Sequence, residues 1–277
     1  MKRQKKIAVV NDFSGFGRCS LTVSIPIISA MKIQCCALPT AVLSNHTGYQ
    51  DFFFDDYTDK MKEYYMKWDK LGLSFDGIYT GFLGSVRQVE IVEDFIARFK
   101  GKDTVVIVDP VMGDNGKCYA TIDDDLCREL RKLLPLSTII TPNLTEACIL
   151  CEEKFRTTAY TDDELMRLTE KLRKLGARNI VITGIERQGH ICNYISAENK
   201  PCTVYEQIPS GSLHAGTGDV FSSIIAADAV NDIPFESSVK KAADFVAEAI
   251  ALSDKLSIPP QDGICFEELL GRLIPRD

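Results

Sequence analysis

No apolar stretch in this 277-residue sequence exceeds strand length, so no segment could cross the ~30 Å hydrocarbon core of a bilayer as a helix. The basic start, Met1-Lys2-Arg3-Gln4-Lys5-Lys6, runs into Asn11-Asp12 after four apolar residues. That is too short for the core of a secretory signal, and a cytoplasmic location is expected. Positive charge is not in excess: 32 Lys and Arg against 39 Asp and Glu leave a net charge of −7 with no basic stripe, which argues against a nucleic-acid partner. An anionic ligand would then need a metal ion or local backbone donors. Histidine is scarce, and His46, His190 and His214 are too far apart for an HExxH or facial-triad metal site. No GxxxxGK[ST] run occurs, which excludes a Walker A nucleotide site. Linkers, runs of like charge and repeats are also missing, so a single domain over residues 1–277 is expected.

Cysteine, by contrast, is plentiful, but ten residues at irregular spacing suit buried thiols in a reducing compartment better than a disulfide framework. Cys148-Ile149-Leu150-Cys151 is formally a CxxC without a second pair at zinc spacing, and reads as structural.

Short β-branched runs alternate with longer amphipathic segments, the pattern of a mostly parallel sheet covered by helices on both faces. Strands are predicted at 7–10, 35–42, 77–80, 104–108, 138–141 and 179–183. Helices are predicted at 20–31, 58–71, 86–100, 123–134, 145–152 and 162–175. Two alternating runs, 191–196 and 202–208, flank Glu198-Asn199-Lys200-Pro201 and predict an antiparallel edge hairpin. Helices near 218–230 and 237–252 close the chain. The fold class is therefore three-layer α/β/α.

Unusual polar residues cluster on this map. Asn11-Asp12, Thr80-Gly81, Asp109-Pro110, Thr141-Pro142-Asn143 and Thr183-Gly184 each follow a predicted strand, and five such junctions should converge on one crevice at the carboxyl edge of the sheet. The strongest local signal is Gly216-Thr217-Gly218-Asp219 before a small-residue helix. Its glycines permit a tight turn that gathers N–H groups into an anion hole, and Asp219 falls in the first helical turn, where a carboxylate can accept a hydroxyl proton. Asn143-Leu144-Thr145-Glu146, with Asp109, could hold a hydrated Mg²⁺ near phosphates, although NxxE also reads as a helix cap. Gly15-Phe16-Gly17-Arg18-Cys19-Ser20 follows the first strand as a dinucleotide fingerprint would. Ser20 replaces the third glycine, however, and no acidic residue ends the second strand, so a dehydrogenase is disfavoured.

Taken together, Ser44-Asn45-His46-Thr47-Gly48-Tyr49, Thr80-Gly81-Phe82, Asp109-Pro110-Val111-Met112-Gly113-Asp114, Ile140-Thr141-Pro142-Asn143 and Gly216-Thr217-Gly218-Asp219 resemble the pyridoxal kinases of the ribokinase-like superfamily, in order and approximate spacing. The resemblance implies ATP-dependent phosphorylation of the 5′-hydroxymethyl group of a B6 vitamer by a homodimer, with ATP, Mg²⁺ and a monovalent cation such as K⁺. It implies Asp219 as the base and Gly216, Thr217 and Gly218 as the anion hole. Asp109, Asn143 and Glu146 would organise ATP and metal, with Asp109 and Glu146 as metal ligands, and Thr141, Thr183 and Gly184 would line the nucleotide side. Asp114 to Tyr119 resembles a mobile flap over ATP, with Tyr119 as its aromatic residue. On the substrate side stand Thr47, Gly48 and Phe82, the last where the family usually has tyrosine.

One departure is Asn11-Asp12, where many of these enzymes carry Ser-His. An acid there could pair with a ring nitrogen or an exocyclic amine and favour pyridoxamine or an aminopyrimidine, or it could simply form an Asx turn. His46 is expected to orient its loop rather than to catalyse. A hydroxymethylpyrimidine kinase would use the same Asp219 with another ring pocket, and a non-catalytic vitamer carrier would leave Asp109, Glu146 and the glycine turn without a shared task.

Overall fold

The structure is a computed structural model and describes residues 3–275; Met1 and Lys2 of the basic start lie outside the described residues. Buried runs of Val and Ile form the strands, while segments with apolar residues every three or four positions wrap around them as helices. In chain order the first half comprises β1 (Lys6–Phe16), α1 (Ser20–Ala30), β2 (Gln34–Asn45), β3 (Phe54–Asp56), α2 (Thr58–Lys70), β4 (Gly77–Thr80), α3 (Val86–Phe99) and β5 (Val105–Val108). The second half comprises β6 (Gly113–Asp114), β7 (Lys117–Cys118), α4 (Asp124–Leu130), β8 (Ile139–Ile140), α5 (Leu144–Leu150), α6 (Asp162–Lys174), β9 (Asn179–Arg187), β10 (His190–Ser196), β11 (Thr203–Gln207), α7 (Thr217–Val230) and α8 (Phe235–Lys255).

Nine strands form one sheet in the order β11-β10-β9-β8-β5-β4-β1-β2-β3. Its centre is parallel, whereas β3, β10 and β11 pair antiparallel at the two edges. One face is covered by α2 to α6, around Met61, Tyr65, Phe95 and Leu172. On the other lie α1, α7 and α8, around Leu21, Ile224 and Val239. The expected three-layer architecture is present, and the antiparallel hairpin read at 191–208 is the β10–β11 edge.

Three sequence expectations need correction. The first strand does not stop at Val10: it runs six residues further with a bulge between Asn11 and Phe13, so Asn11-Asp12 lies inside β1 and not after it. Polarity inverts there, because Asn11, Asp12 and Ser14 point inward and are buried while Phe13 and Phe16 are exposed. Thr183-Gly184 likewise lies within β9, which turns back into β10 instead of leading to a helix. The helix predicted over 123–134 is α4 followed by a 3₁₀ segment, Arg131–Leu136, where Pro135 cannot donate the next α-helical hydrogen bond. The segment read as a flap holds a two-stranded hairpin, β6–β7, whose turn residues Asn115 and Gly116 have φ of 51° and 76°. Asn-Gly between strands is the strongest short hairpin signal, and positive φ at both positions explains why.

Candidate active site

The strand order reverses between β1 and β4: β2 continues on one side, β5 on the other. In open α/β sheets such a switch point opens a crevice at the carboxyl ends of the strands. α7 starts over this opening. Its N-cap, Gly216, has φ of 76°, and a Cβ at that position would come within 1.8 Å of the Arg18 carbonyl oxygen, so only glycine fits where the turn meets the loop before α1. A Cβ on Gly218 would meet only open space, which leaves the first turn accessible.

Asp219 follows in that turn. The Asn11 amide donates to Asp219 Oδ1 at 3.2 Å. The orientation of the Asn11 side chain is fixed by its other atom, since Oδ1 accepts the N–H groups of Phe82 at 2.8 Å and Asp12 at 3.0 Å. Gly81 beside it has no room for a Cβ, which would lie 2.4 Å from Asn11 Nδ2. Burial pushes the Asp219 carboxyl up to about 6, and the negative charge of Asp12 adds to this, while hydrogen bonds from the Ser20 backbone and the Asn11 amide act against it.

Asp12 is placed otherwise than the sequence suggested. Its carboxylate is buried and accepts the hydroxyl of Ser14 at 2.8 Å through Oδ2 and that of Ser20 through Oδ1. Both oxygens are taken up inside the protein, so pairing with a ligand amine would first require these bonds to break. Burial raises its pKa, and the two hydroxyls partly offset the rise.

A second cluster surrounds Asp109 at the end of β5. Ser222, one turn beyond Asp219 on α7, donates to Asp109 Oδ2 at 3.0 Å, and its hydroxyl lies 2.9 Å from that of Thr141. Burial and the nearby charge of Asp219 push the Asp109 carboxyl up to about 7, against the Ser222 and Thr141 hydroxyls. Asn143 and Glu146 form a reciprocal capping box at the start of α5: the Glu146 N–H donates to Asn143 Oδ1 at 2.9 Å, and the Asn143 N–H to Glu146 Oε2 at 2.8 Å. The same two side chains grip the base of the flap, because the Met112 N–H donates to Glu146 Oε1 and Asn143 Nδ2 donates to the Gly113 carbonyl. The flap tip docks on α5, with the Gly116 N–H donating to Thr145 Oγ1 at 2.9 Å. Tyr119 leaves this hairpin exposed and within electrostatic range of Glu146, Asp114, Asp109 and Asp219. Asp114 is exposed and accepts from the Asn115 backbone and amide. Thr183 is joined to Asn143 by a parallel bridge, and Gly184 beside it is exposed.

On the far side of β1, Thr47 and Gly48 lie exposed in the turn after β2. His46 ties this turn down: the Gly48 N–H donates to its Nδ1 at 3.1 Å, so Nε2 carries the proton toward the Gln261 carbonyl at 2.8 Å. That geometry matches the expected loop-orienting part. Phe82 lies half-buried beside Asn11, and its carbonyl accepts the Thr40 hydroxyl. Cys148 and Cys151 are buried free thiols, and among the described residues no three His, Cys, Asp or Glu side chains converge to hold a metal.

Three contributors escaped the sequence reading. Ser222 could have been found, since i and i+3 share a helix face and Asp219 was already singled out. Ser20 and Tyr79 carried no such signal. Ser20 was noted only as a missing glycine, and Tyr79 lies fully buried on β4 within electrostatic range of both Asp109 and Asp219.

Comparison with known proteins bears on the fold and the family. The Haemophilus influenzae hydroxymethylpyrimidine/phosphomethylpyrimidine kinase is 32% identical over 177 residues, which cover 62% of this chain and 63% of that enzyme. The match thus spans less than two thirds of the relative's length. A Bacteroides thetaiotaomicron protein described as a candidate phosphomethylpyrimidine kinase has the same fold at a TM-score of 0.93 and 38% identity, covering 100% of this chain and 96% of that one. Its orthorhombic crystal form was solved with pyridoxal. The Lactobacillus plantarum pyridoxal kinase superposes at a TM-score of 0.90 with 25% identity, covering 98% and 97% of the two chains. Residues 25–263 match the family model described as phosphomethylpyrimidine kinase, and the chain is a member of that kinase family.

Proposed function

We propose that this kinase transfers the γ-phosphoryl group of ATP to the 5′-hydroxymethyl group of a B6 vitamer. The observation that carries the reading is the Asp219 carboxylate, aimed by the Asn11 amide beside the glycine turn at the switch point of the sheet. Asp219 takes the proton from the substrate alcohol as that oxygen attacks the γ-phosphorus; the bond to the bridging oxygen breaks and ADP leaves. The N–H groups of Thr217, Gly218 and Asp219 receive the charge on the transferred group. Thr141, Thr183 and Gly184 line the nucleotide side, and the β6–β7 hairpin with Tyr119 covers the phosphates and excludes water. Phe82 stacks on the pyridine ring, with Thr47 and Gly48 at its rim.

The oxygen donors suit Mg²⁺, which is commonly held by one or two carboxylates plus substrate phosphates. Asp109 would bind it directly. Glu146, both of whose oxygens already accept backbone N–H groups, would do so through water. The ion would neutralise charge on the phosphates.

The pyridoxal-bound form of the Bacteroides relative supports a vitamer as substrate. A second reading, phosphorylation of hydroxymethylpyrimidine or its phosphate, is favoured by the family model and the Haemophilus relative. Turnover with Mg-ATP on pyridoxal, pyridoxine, pyridoxamine and aminohydroxymethylpyrimidine, measured side by side, separates the two. The first reading expects the vitamers to be turned over with the higher kcat/KM, and activity on the pyrimidine alone would overturn it.

A further inference from the structure

We propose that the segment 260–264 clamps the turn after β2 at a fixed place relative to Asp219, which makes Tyr49, Gln261 and Asp262 positioning residues for the alcohol substrate. The inference rests on the reading of Thr47 and Gly48 as the rim of the substrate ring. The segment opens with a 3₁₀ turn, Pro260–Asp262, and three bonds join it to the turn after β2. The Tyr49 hydroxyl donates to Asp262 Oδ1 at 2.6 Å, the Gln261 amide donates to the Gly48 carbonyl at 2.5 Å, and the Gln261 carbonyl lies 2.8 Å from His46 Nε2. Ring packing adds to these bonds, since the Tyr49 centroid is 4.8 Å from that of His46 and 5.8 Å from that of Phe16.

The same segment is pinned to the glycine turn. On the residue before Gly216, the Ala215 N–H donates to the Pro260 carbonyl at 3.0 Å and the Ala215 carbonyl accepts the Ile264 N–H at 3.2 Å. The Asp262 carbonyl also accepts the Arg18 N–H at 3.0 Å, and a Cβ on Gly263 would come within 2.8 Å of the Arg18 backbone. Arg18 is the residue whose carbonyl meets Gly216, and a Cβ on its neighbour Gly17 would lie 2.5 Å from the His46 ring. One short segment thus touches the turn after β2, the loop before α1 and the entry to α7. Inside the turn, the Gly48 N–H reaches His46 Nδ1 and the Tyr49 N–H reaches the His46 carbonyl, so His46 gives the turn its shape while the clamp sets where it stands. Loss of the Tyr49–Asp262 bond would let the turn drift from the ring it meets, whereas α7, buried along its length, keeps Asp219 in place.

Steady-state kinetics of the full chain test this, with Mg-ATP and whichever alcohol, vitamer or aminopyrimidine, is turned over best. Wild type is compared with Tyr49→Phe, Asp262→Ala, Asp262→Asn and the double variant Tyr49→Phe with Asp262→Ala. Phenylalanine keeps the ring and loses only the hydroxyl, and asparagine keeps an acceptor oxygen. Tyr49→Phe and Asp262→Ala are each expected to raise KM for the alcohol about tenfold, the scale of one hydrogen bond to a charged group, with kcat and KM for ATP within about twofold. The double variant should be no worse than the more damaged single one, because both changes remove one interaction, and Asp262→Asn should stay within about threefold of wild type.

A substrate-free readout accompanies the kinetics: amide hydrogen exchange followed by mass spectrometry. Exchange over residues 44–50 is expected to quicken about fivefold or more in Tyr49→Phe and Asp262→Ala and to match wild type in Asp262→Asn, while α7 stays unchanged in all of them. Unaltered exchange over 44–50 in both Tyr49→Phe and Asp262→Ala would overturn the proposal. So would KM for ATP rising in step with KM for the alcohol, or Asp262→Asn failing as badly as Asp262→Ala. A variant that misfolds would also exchange faster in α7, and Tyr49→Phe, which keeps the packed ring, then decides. Absence of any alcohol phosphorylation by wild type would sink the kinase reading instead, and the exchange measurement would still decide the clamp.

Discussion

The two halves of the crevice are built by different means. Around Asp219 the polar groups are side chains from β1 and the start of α1: the Asn11 amide donates to Asp219, and the Asp12 carboxylate accepts the hydroxyls of Ser14 and Ser20. At the base of the hairpin the bonds run instead to backbone: the Asn143 and Glu146 side chains of a capping box also hold the Gly113 carbonyl and the Met112 N–H. The first half depends on residue identity, and exchanging one side chain should change the chemistry. The second depends on local geometry, and single exchanges there should loosen nucleotide binding more than they slow the transfer.

The sharpest way to break the contrast is Asp219→Ala, expected to lower kcat at least ~10²-fold with ATP affinity largely intact, as general-base assistance is typically worth that much. Calorimetric ATP binding beside turnover checks it, and equal losses in both would merge the two halves. Next in size, Gly216→Ala forces a Cβ against the Arg18 carbonyl at positive φ. A loss of roughly 1–3 kcal/mol in stability is expected, seen as a lower Tm, together with loss of turnover.

Third, the pH profile: because Asp219 is pushed up to about 6 and works deprotonated, kcat should be flat at neutral pH and fall about tenfold per unit as pH drops below about 6. A limb near 4 would mean that the carboxylate is more hydrated than its setting implies. Smallest is Glu146→Gln, which keeps one acceptor oxygen of the two now in use. KM for ATP should rise about fivefold with kcat nearly unchanged, consistent with loss of one backbone hydrogen bond worth about 1 kcal/mol. A larger fall in kcat than rise in KM would place Glu146 in the transfer itself.

Much of this was legible because ordinary rules held. Gly77–Thr80 is a fully buried parallel strand and reads as one, and Thr58–Lys70 ends within a residue of its predicted bound. The glycine turn before Asp219 announced itself by composition. What could not be read is where the rules invert. β1 carries polar residues inward and aromatic ones outward past Val10, so hydrophobic patterning ends the strand too early and leaves Asp12 open between a ligand-pairing acid and an Asx turn. The bond between Ser222 and Asp109 joins residues 113 apart in sequence, and the pairing itself is set by how α7 lies on β5. The comparisons carry the family.

α7 is enclosed along nearly its whole length, with every residue from Val220 to Asp228 buried and serine or alanine at the closest approaches. A rod walled in on all sides has no slack to tilt or slide toward a differently shaped alcohol. If Asp219 is the base proposed above, adaptation to a new ring would come from the exposed turn after β2 or from Phe82, while Asp219 stays where the core has set it.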